Sequence, residues 1–153
     1  RFAQDPNWQN PAVSIEKNMT FEMPQKVLFK HCDPAGIVFY PRYFEMMNDC
    51  VEAFFDQALG VPFEDFHTSG GVPTVQIQTR FVAPSRHGDH LVLKLGITKI
   101  GTSSTEYNLK AFCADQLRFD TTATLVNINK NSKAAPWCAL LRAKLLEFKE
   151  TSA

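Results

Sequence analysis

An excess of charge of either sign is the first thing this 153-residue chain lacks: sixteen basic residues offset sixteen acidic ones, and neither sign gathers into a block. A nucleic-acid or anionic-membrane partner would leave an electrostatic footprint, so neither is expected, and small-molecule chemistry is left by elimination. Paired cysteines are missing too. Cys32, Cys50, Cys113 and Cys138 are scattered, and none belongs to a C-x-x-C pair. That spacing excludes a zinc ribbon and a disulfide framework, and fits reduced thiols in a cytoplasmic protein. The beginning shows no basic segment leading into an apolar stretch, and no apolar run is long enough to span a bilayer, so a soluble protein is expected. Internal repeats, low-complexity tracts and His/Cys/Asp/Glu clusters with metal spacing are likewise absent.

What is present is 44% hydrophobic content, enough for a single domain with one sizeable core. Residues 1–20 are polar and proline-broken, without helical or strand period, and read as an arm outside the core. Residues 21–153 read as one domain. In "QKVLFKH", Val27 and Phe29 alternate with Lys26, Leu28 and Lys30, which predicts a strand. After Pro41 the spacing changes. Tyr43, Met47, Cys50, Phe54 and Ala58 recur every three or four residues, with Phe44, Val51, Phe55 and Leu59 on the adjoining stripe. A long helix is predicted, with Pro41 in its first turn, Glu45 near its positive end, and Gly60 and Pro62 as the stop.

Four strand-like segments follow. Val75, Ile77, Thr79 and Phe81 alternate in the first; Leu91, Leu93, Leu95 and Ile97 in the second; Thr105, Tyr107, Leu109 and Ala111 in the third; "QLRFDTTATLVNI" is the fourth. The turns between them are too short for parallel crossovers, so antiparallel neighbours are expected. Leu141, Leu145 and Phe148 predict a short final helix, with Pro136 in its first turn, covering a sheet edge. The sum is an α+β domain, one long helix wrapped by a curved antiparallel sheet of about five strands.

The stretch "HCDPAGIVFYPRYF" stands directly before the long helix. Asp-Pro-Ala-Gly is ordinary turn chemistry, and a catalytic carboxylate would look the same. His31 either orients Asp33 or merely occupies a strand end. A helix N-terminus, by contrast, offers unpaired N–H groups and partial positive charge, suited to an oxyanion, and Pro41 cannot supply such a donor. Cys32 has no identified base and is set aside as a nucleophile. His67, His87 and His90 fall in loop-like segments and read as surface residues.

"HCDPAGIVFYPRYFEMMNDCVEAFF", with the strands behind it, resembles the hotdog-fold acyl-CoA thioesterases of the 4-hydroxybenzoyl-CoA thioesterase family, over about Gln25 to Ile128. The resemblance implies the hotdog fold, with its "sausage" helix, and hydrolysis of an acyl-CoA thioester to acid and coenzyme A. It casts Asp33 as the catalytic general base or nucleophile and the Tyr40 backbone amide as the group polarising the thioester carbonyl. Gly36, Val38 and Pro41 become substrate-binding positions. It further implies a homodimer or homotetramer, with no metal and no cofactor, coenzyme A being part of the substrate. An acyl-carrier-protein thioesterase and a non-hydrolytic binder of acyl or aromatic ligands are the alternatives. A related branch carries its acid on the central helix, which makes Glu45, Asp49 and Glu52 competing carboxylates. The basic cluster of the 4-hydroxybenzoyl-CoA enzyme is reduced here to Lys99 in "KIGTSS", so the nucleotide grip must differ; Arg80, Lys99 and Lys110 either meet the coenzyme A phosphates or, as exposed basic residues on a sheet usually do, contact only water.

Overall fold

The computed structural model describes residues 19–150; the expected arm lies outside the described residues except for Met19 and Thr20, which are exposed coil. In chain order the elements are strand β1 (Phe21–Lys26), a 3-10 turn (Phe29–His31), helix α1 (Tyr40–Ala53) running into a π-helical turn (Phe54–Ala58), and helix α2 (Phe63–Phe66). Then come strands β2 (Gly70–Gly71), β3 (Thr74–Phe81), β4 (His90–Ile100), β5 (Ser104–Cys113), β6 (Gln116–Val126) and β7 (Ile128–Asn129), and helix α3 (Ala139–Glu147).

Five strands make one antiparallel sheet in the order β1-β4-β5-β6-β3. Its inner face carries Leu91, Leu93, Leu95, Ile97, Tyr107, Leu109, Ala111, Phe119 and Ala123, all nearly inaccessible. Against them lie Tyr43, Met46, Met47, Cys50 and Val51 of α1. This is the hotdog arrangement, and it forms because two periods meet: every second residue of the strands and every third or fourth of the helix are apolar. In the π-helical turn Leu59 N–H reaches back five residues to the Phe54 carbonyl (3.0 Å). The wider turn lets consecutive Phe54 and Phe55 both face the core.

Three local expectations are corrected. The first strand lies at Phe21–Lys26, earlier than predicted, because the Leu28 N–H donates to His31 Nδ1 (2.8 Å) and closes the 3-10 turn. Val27 is therefore buried while Phe29 is 81% exposed. Pro136 precedes α3 rather than opening it, as the N-cap is Cys138. Lastly, β3 has no buried face despite its clean alternation: Val75, Ile77 and Phe81 are all exposed, since β3 is an edge strand whose inner side looks onto open space.

The rest of the pattern matches. Leu141, Leu145 and Phe148 of the α3 region are buried, and Phe148 packs on Phe54 at 5.1 Å between ring centroids. Ile97 N–H donates to the Phe148 carbonyl (2.9 Å), so the chain end covers the edge of β4 where β1 stops. The ribbon β2–β7 went unpredicted. It requires Gly70, where a Cβ would collide with the Ile128 carbonyl.

Candidate active site

The motif folds as a tight hairpin closed onto the start of α1. Cys32 bridges Val38, Asp33 N–H donates to the Ile37 carbonyl (3.0 Å), and Phe39 N–H donates to the His31 carbonyl (2.9 Å). At its tip the Gly36 N–H donates to the Asp33 carbonyl (2.9 Å), and Gly36 takes φ +80°, a left-handed conformation that favours glycine. A Cβ at Gly36 would meet nothing, so the glycine serves the turn rather than a close approach. Asp33 Oδ1 accepts the Ala35 N–H (2.9 Å), the hydrogen bond of an Asx turn. Among the described residues Oδ2 has no hydrogen-bond partner.

Helix α1 begins at Tyr40 with Phe39 as an N-cap that lends no side-chain bond. Arg42 N–H returns to the Phe39 carbonyl (2.8 Å), and Pro41 has no N–H. The Tyr40 N–H meets no acceptor among the described residues, so a free donor of the first turn sits where the helix dipole is positive. Two residue pairs of hairpin, Cys32–Val38 and His31–Phe39, lie between Asp33 and Tyr40, a spacing of roughly 10 Å.

Beside it runs an apolar groove of about 440 Å³, lined by Ile37, Val38, Tyr40, Tyr43, Phe81 and Pro84 among others. Val38 and Tyr40 thus reach the groove. Asp33, Gly36 and Pro41 do not line it, Asp33 and Gly36 standing on the hairpin and Pro41 half-buried in the helix. His31 is buried and makes no hydrogen bond to Asp33; its Nδ1 caps the 3-10 turn, and burial, reinforced by Lys30, holds its pKa below the ordinary value. Cys50 is unsuited to nucleophilic work, its thiol pushed up to about 12 by burial. Glu45 is spent on an exposed pair with Arg42 (2.8 Å). Arg80 is exposed on β3, beside Gln78, Thr79, Asp120 and Thr122.

Sequence reasoning missed the support beneath the hairpin. Ala111 pairs with Phe119 and Phe112 with Leu117, which leaves Arg118 as the extra residue of a β-bulge and turns its side chain inward. There Arg118 Nη1 donates to the Pro84 carbonyl (2.9 Å), Ser85 Oγ (3.1 Å) and Asp89 Oδ2 (2.8 Å). The Arg86 N–H and the guanidinium together hold the Asp89 carboxyl below the usual carboxylate range. The clamped segment in turn carries the motif: Val38 N–H donates to the Ser85 carbonyl (2.8 Å) and Ile37 bridges Arg86. Tyr43 points its hydroxyl at the same cluster but forms no hydrogen bond among the described residues, and burial raises its pKa against the pull of Ser85 and Arg118. The available signal was an arginine amid an apolar strand and an acid in the turn "APSRHGD".

A family model described as the thioesterase-like superfamily matches residues 27–145, from the strand before the motif into the last helix. The chain belongs to that superfamily. Among solved structures it is similar to a 1,4-dihydroxy-2-naphthoyl-CoA thioesterase from Synechocystis, at 21% identity and a TM-score of 0.77, covering 83% of this chain and 96% of that one. It is also similar to a gentisyl-coenzyme A thioesterase, at 24% identity and a TM-score of 0.73, over 82% and 98% of the two chains. A Staphylococcus aureus protein solved in complex with CoA shares 14% identity at a TM-score of 0.79, over 89% of each chain. At these identities the likeness shows the fold. Among the described residues of this superfamily member, no group of His, Cys, Asp and Glu is placed to hold a metal ion, and no helix is long and apolar enough to cross a membrane.

Proposed function

We propose that the chain hydrolyses an acyl-CoA thioester to the free acid and coenzyme A, as in the 4-hydroxybenzoyl-CoA thioesterase family. The observation that carries this reading is the unpaired Tyr40 amide at the uncapped start of α1, with the Asp33 hairpin closed against it. A thioester carbonyl seated on that amide would have its developing negative charge met by the N–H and the helix dipole. Asp33 then acts on water as general base, or attacks the carbonyl itself and yields an anhydride that water cleaves. Either way the carbon–sulfur bond breaks and coenzyme A leaves as a thiolate, a leaving group that needs no metal. Val38 forms part of the groove wall, Pro41 sets the first turn of the helix without lining the groove, and Gly36 keeps the hairpin tight. The solved relatives named for aryl-CoA hydrolysis, and the one holding CoA, support this choice of substrate.

The exposed apolar residues of β3 support a homodimer, or a homotetramer built from it, in which that edge is covered by a second copy. One observation favours a non-hydrolytic binder instead: Asp33 Oδ1 is already engaged in its own turn. Release of free thiol from short, long and aromatic CoA thioesters tests the choice. Saturable turnover is expected; binding of all three without thiol release would overturn the hydrolytic reading.

A further inference from the structure

Beyond the groove at Tyr40, the same face of α1 opens onto a larger cavity of about 700 Å³. The two are successive parts of one cleft: Tyr40, Phe44, Met47 and Val51 follow one another along the helix, while Phe81, Ile77 and Thr74 follow along β3. The Phe44 and Phe81 rings, 6.2 Å apart, stand between them. From Tyr40 to Met47 the helix rises roughly 10 Å, a reach that an acyl group of moderate length can span. A cavity of this size suits a small-molecule moiety.

The wall is mostly apolar, and its polar residues are unequal. Asn48, His67 and Thr74 stand at the exposed rim, with His67 Nδ1 bound to the Phe63 carbonyl (2.9 Å). Tyr107, from the inner face of β5, is only 3% exposed and is the one buried polar side chain of the lining. No group among the described residues hydrogen-bonds its hydroxyl. Yet it is not one of the sealed, orphaned atoms, as the Tyr43 hydroxyl is, and the residue lines the cavity. Burial, with the Cys50 thiol beside it, pushes the Tyr107 pKa up to about 12, which keeps the hydroxyl neutral and able to donate. With no protein partner among the described residues, such a hydroxyl is free to donate to a ligand acceptor in place of water.

Resting on the thioesterase reading, we infer that this cavity receives the far end of the acyl group and that Tyr107 hydrogen-bonds a neutral oxygen there. The substrates of this chain are then acyl groups ending in a hydroxyl or carbonyl, in preference to plain hydrocarbon or carboxylate-ended ones. Charge argues against a carboxylate: no Lys or Arg lines the cavity and His67 stands only at its exposed rim, so a carboxylate seated beside Tyr107 would be desolvated with no fixed counter-ion.

Tyr107→Phe removes one unpartnered oxygen and should melt at or above the parent temperature, so loss of fold does not confuse the result. Three CoA thioesters of equal chain length, ending in methyl, hydroxyl or carboxylate, are compared by kcat/KM, and the corresponding free acids by calorimetric binding. The parent should prefer the hydroxyl-ended compound in both assays. The variant should lower the hydroxyl-to-methyl ratio by about tenfold to a hundredfold. An unchanged ratio, or a parent preference for the carboxylate, would overturn the inference while leaving thioester hydrolysis standing. If no thioester turns over but the binding ratio still collapses, the hydrolytic reading fails and the Tyr107 site stands.

Discussion

Replacing Asp33 by asparagine separates the turn from the proposed chemistry, because the two would use different oxygens of the carboxylate. The turn uses Oδ1 as acceptor of the Ala35 N–H (2.9 Å), and the amide oxygen of asparagine reproduces that bond at the same size. Backbone hydrogen bonds from Asp33 to Ile37 and from Gly36 to Asp33 are indifferent to the change. The stability cost should therefore stay below about 0.5 kcal/mol, against about 1 kcal/mol for Asp33→Ala, which loses the bond. In the proposed mechanism turnover uses the unengaged Oδ2, which in asparagine becomes an NH2 that neither accepts a proton nor attacks a thioester. A base or nucleophile is worth about 10²–10⁴ in rate, or about 3–5 kcal/mol of barrier. Thiol release and thermal melting, measured on the same preparations, give both numbers. If Asp33→Asn melts like the parent and keeps more than a tenth of its turnover, Asp33 is a turn residue only. Glu45, Asp49 and Glu52 would then be tested by the matching amide substitutions.

Arg118→Met should destabilise the fold by about 2–3 kcal/mol in urea titrations, since it strands Asp89 and frees the segment that holds Ile37 and Val38; a loss under about 0.5 kcal/mol would show that the clamp is unimportant. His31 has a folded-state pKa below its unfolded value, so its contribution is complete above about pH 6.5 and is lost as pH falls below that. Melting temperature should drop between pH 7.5 and 5 in the parent and drop less in His31→Gln; parallel curves would refute this. Sedimentation at micromolar concentration should show a dimer that Val75→Lys on β3 weakens, and an active monomeric parent would sink both the assembly and its use of that edge.

The elements were legible in the order of residues because each depends on a short-range period. Alternation alone marks Leu91 to Ile97 and Thr105 to Ala111 as strands with one inward face, and three- and four-residue spacing marks Tyr43 to Leu59 as helix. The turn-forming sequence Asp-Pro-Ala-Gly and Pro41 at the head of the helix are equally local, and together with the family resemblance they pointed to the Tyr40 amide as the candidate oxyanion donor. The misplacements came where a long-range partner decides. Alternation in β3 promised a buried face, but burial depends on what lies opposite, and opposite Ile77 there is a cavity. Phe29 continues the alternation of Val27, yet a side-chain cap from His31 turns the chain out of the sheet. Most of all, nothing near Arg118 in the chain reveals that a bulge between Ala111 and Phe112 rotates it under Pro84 and Ser85, residues more than thirty positions away. Nor does anything local set the inward Tyr107 apart from Leu109 as the residue whose polar tip meets open space. Sequence periodicity says which side of an element is apolar; only closure of the sheet around the helix decides which polar atoms are left inside, paired or not.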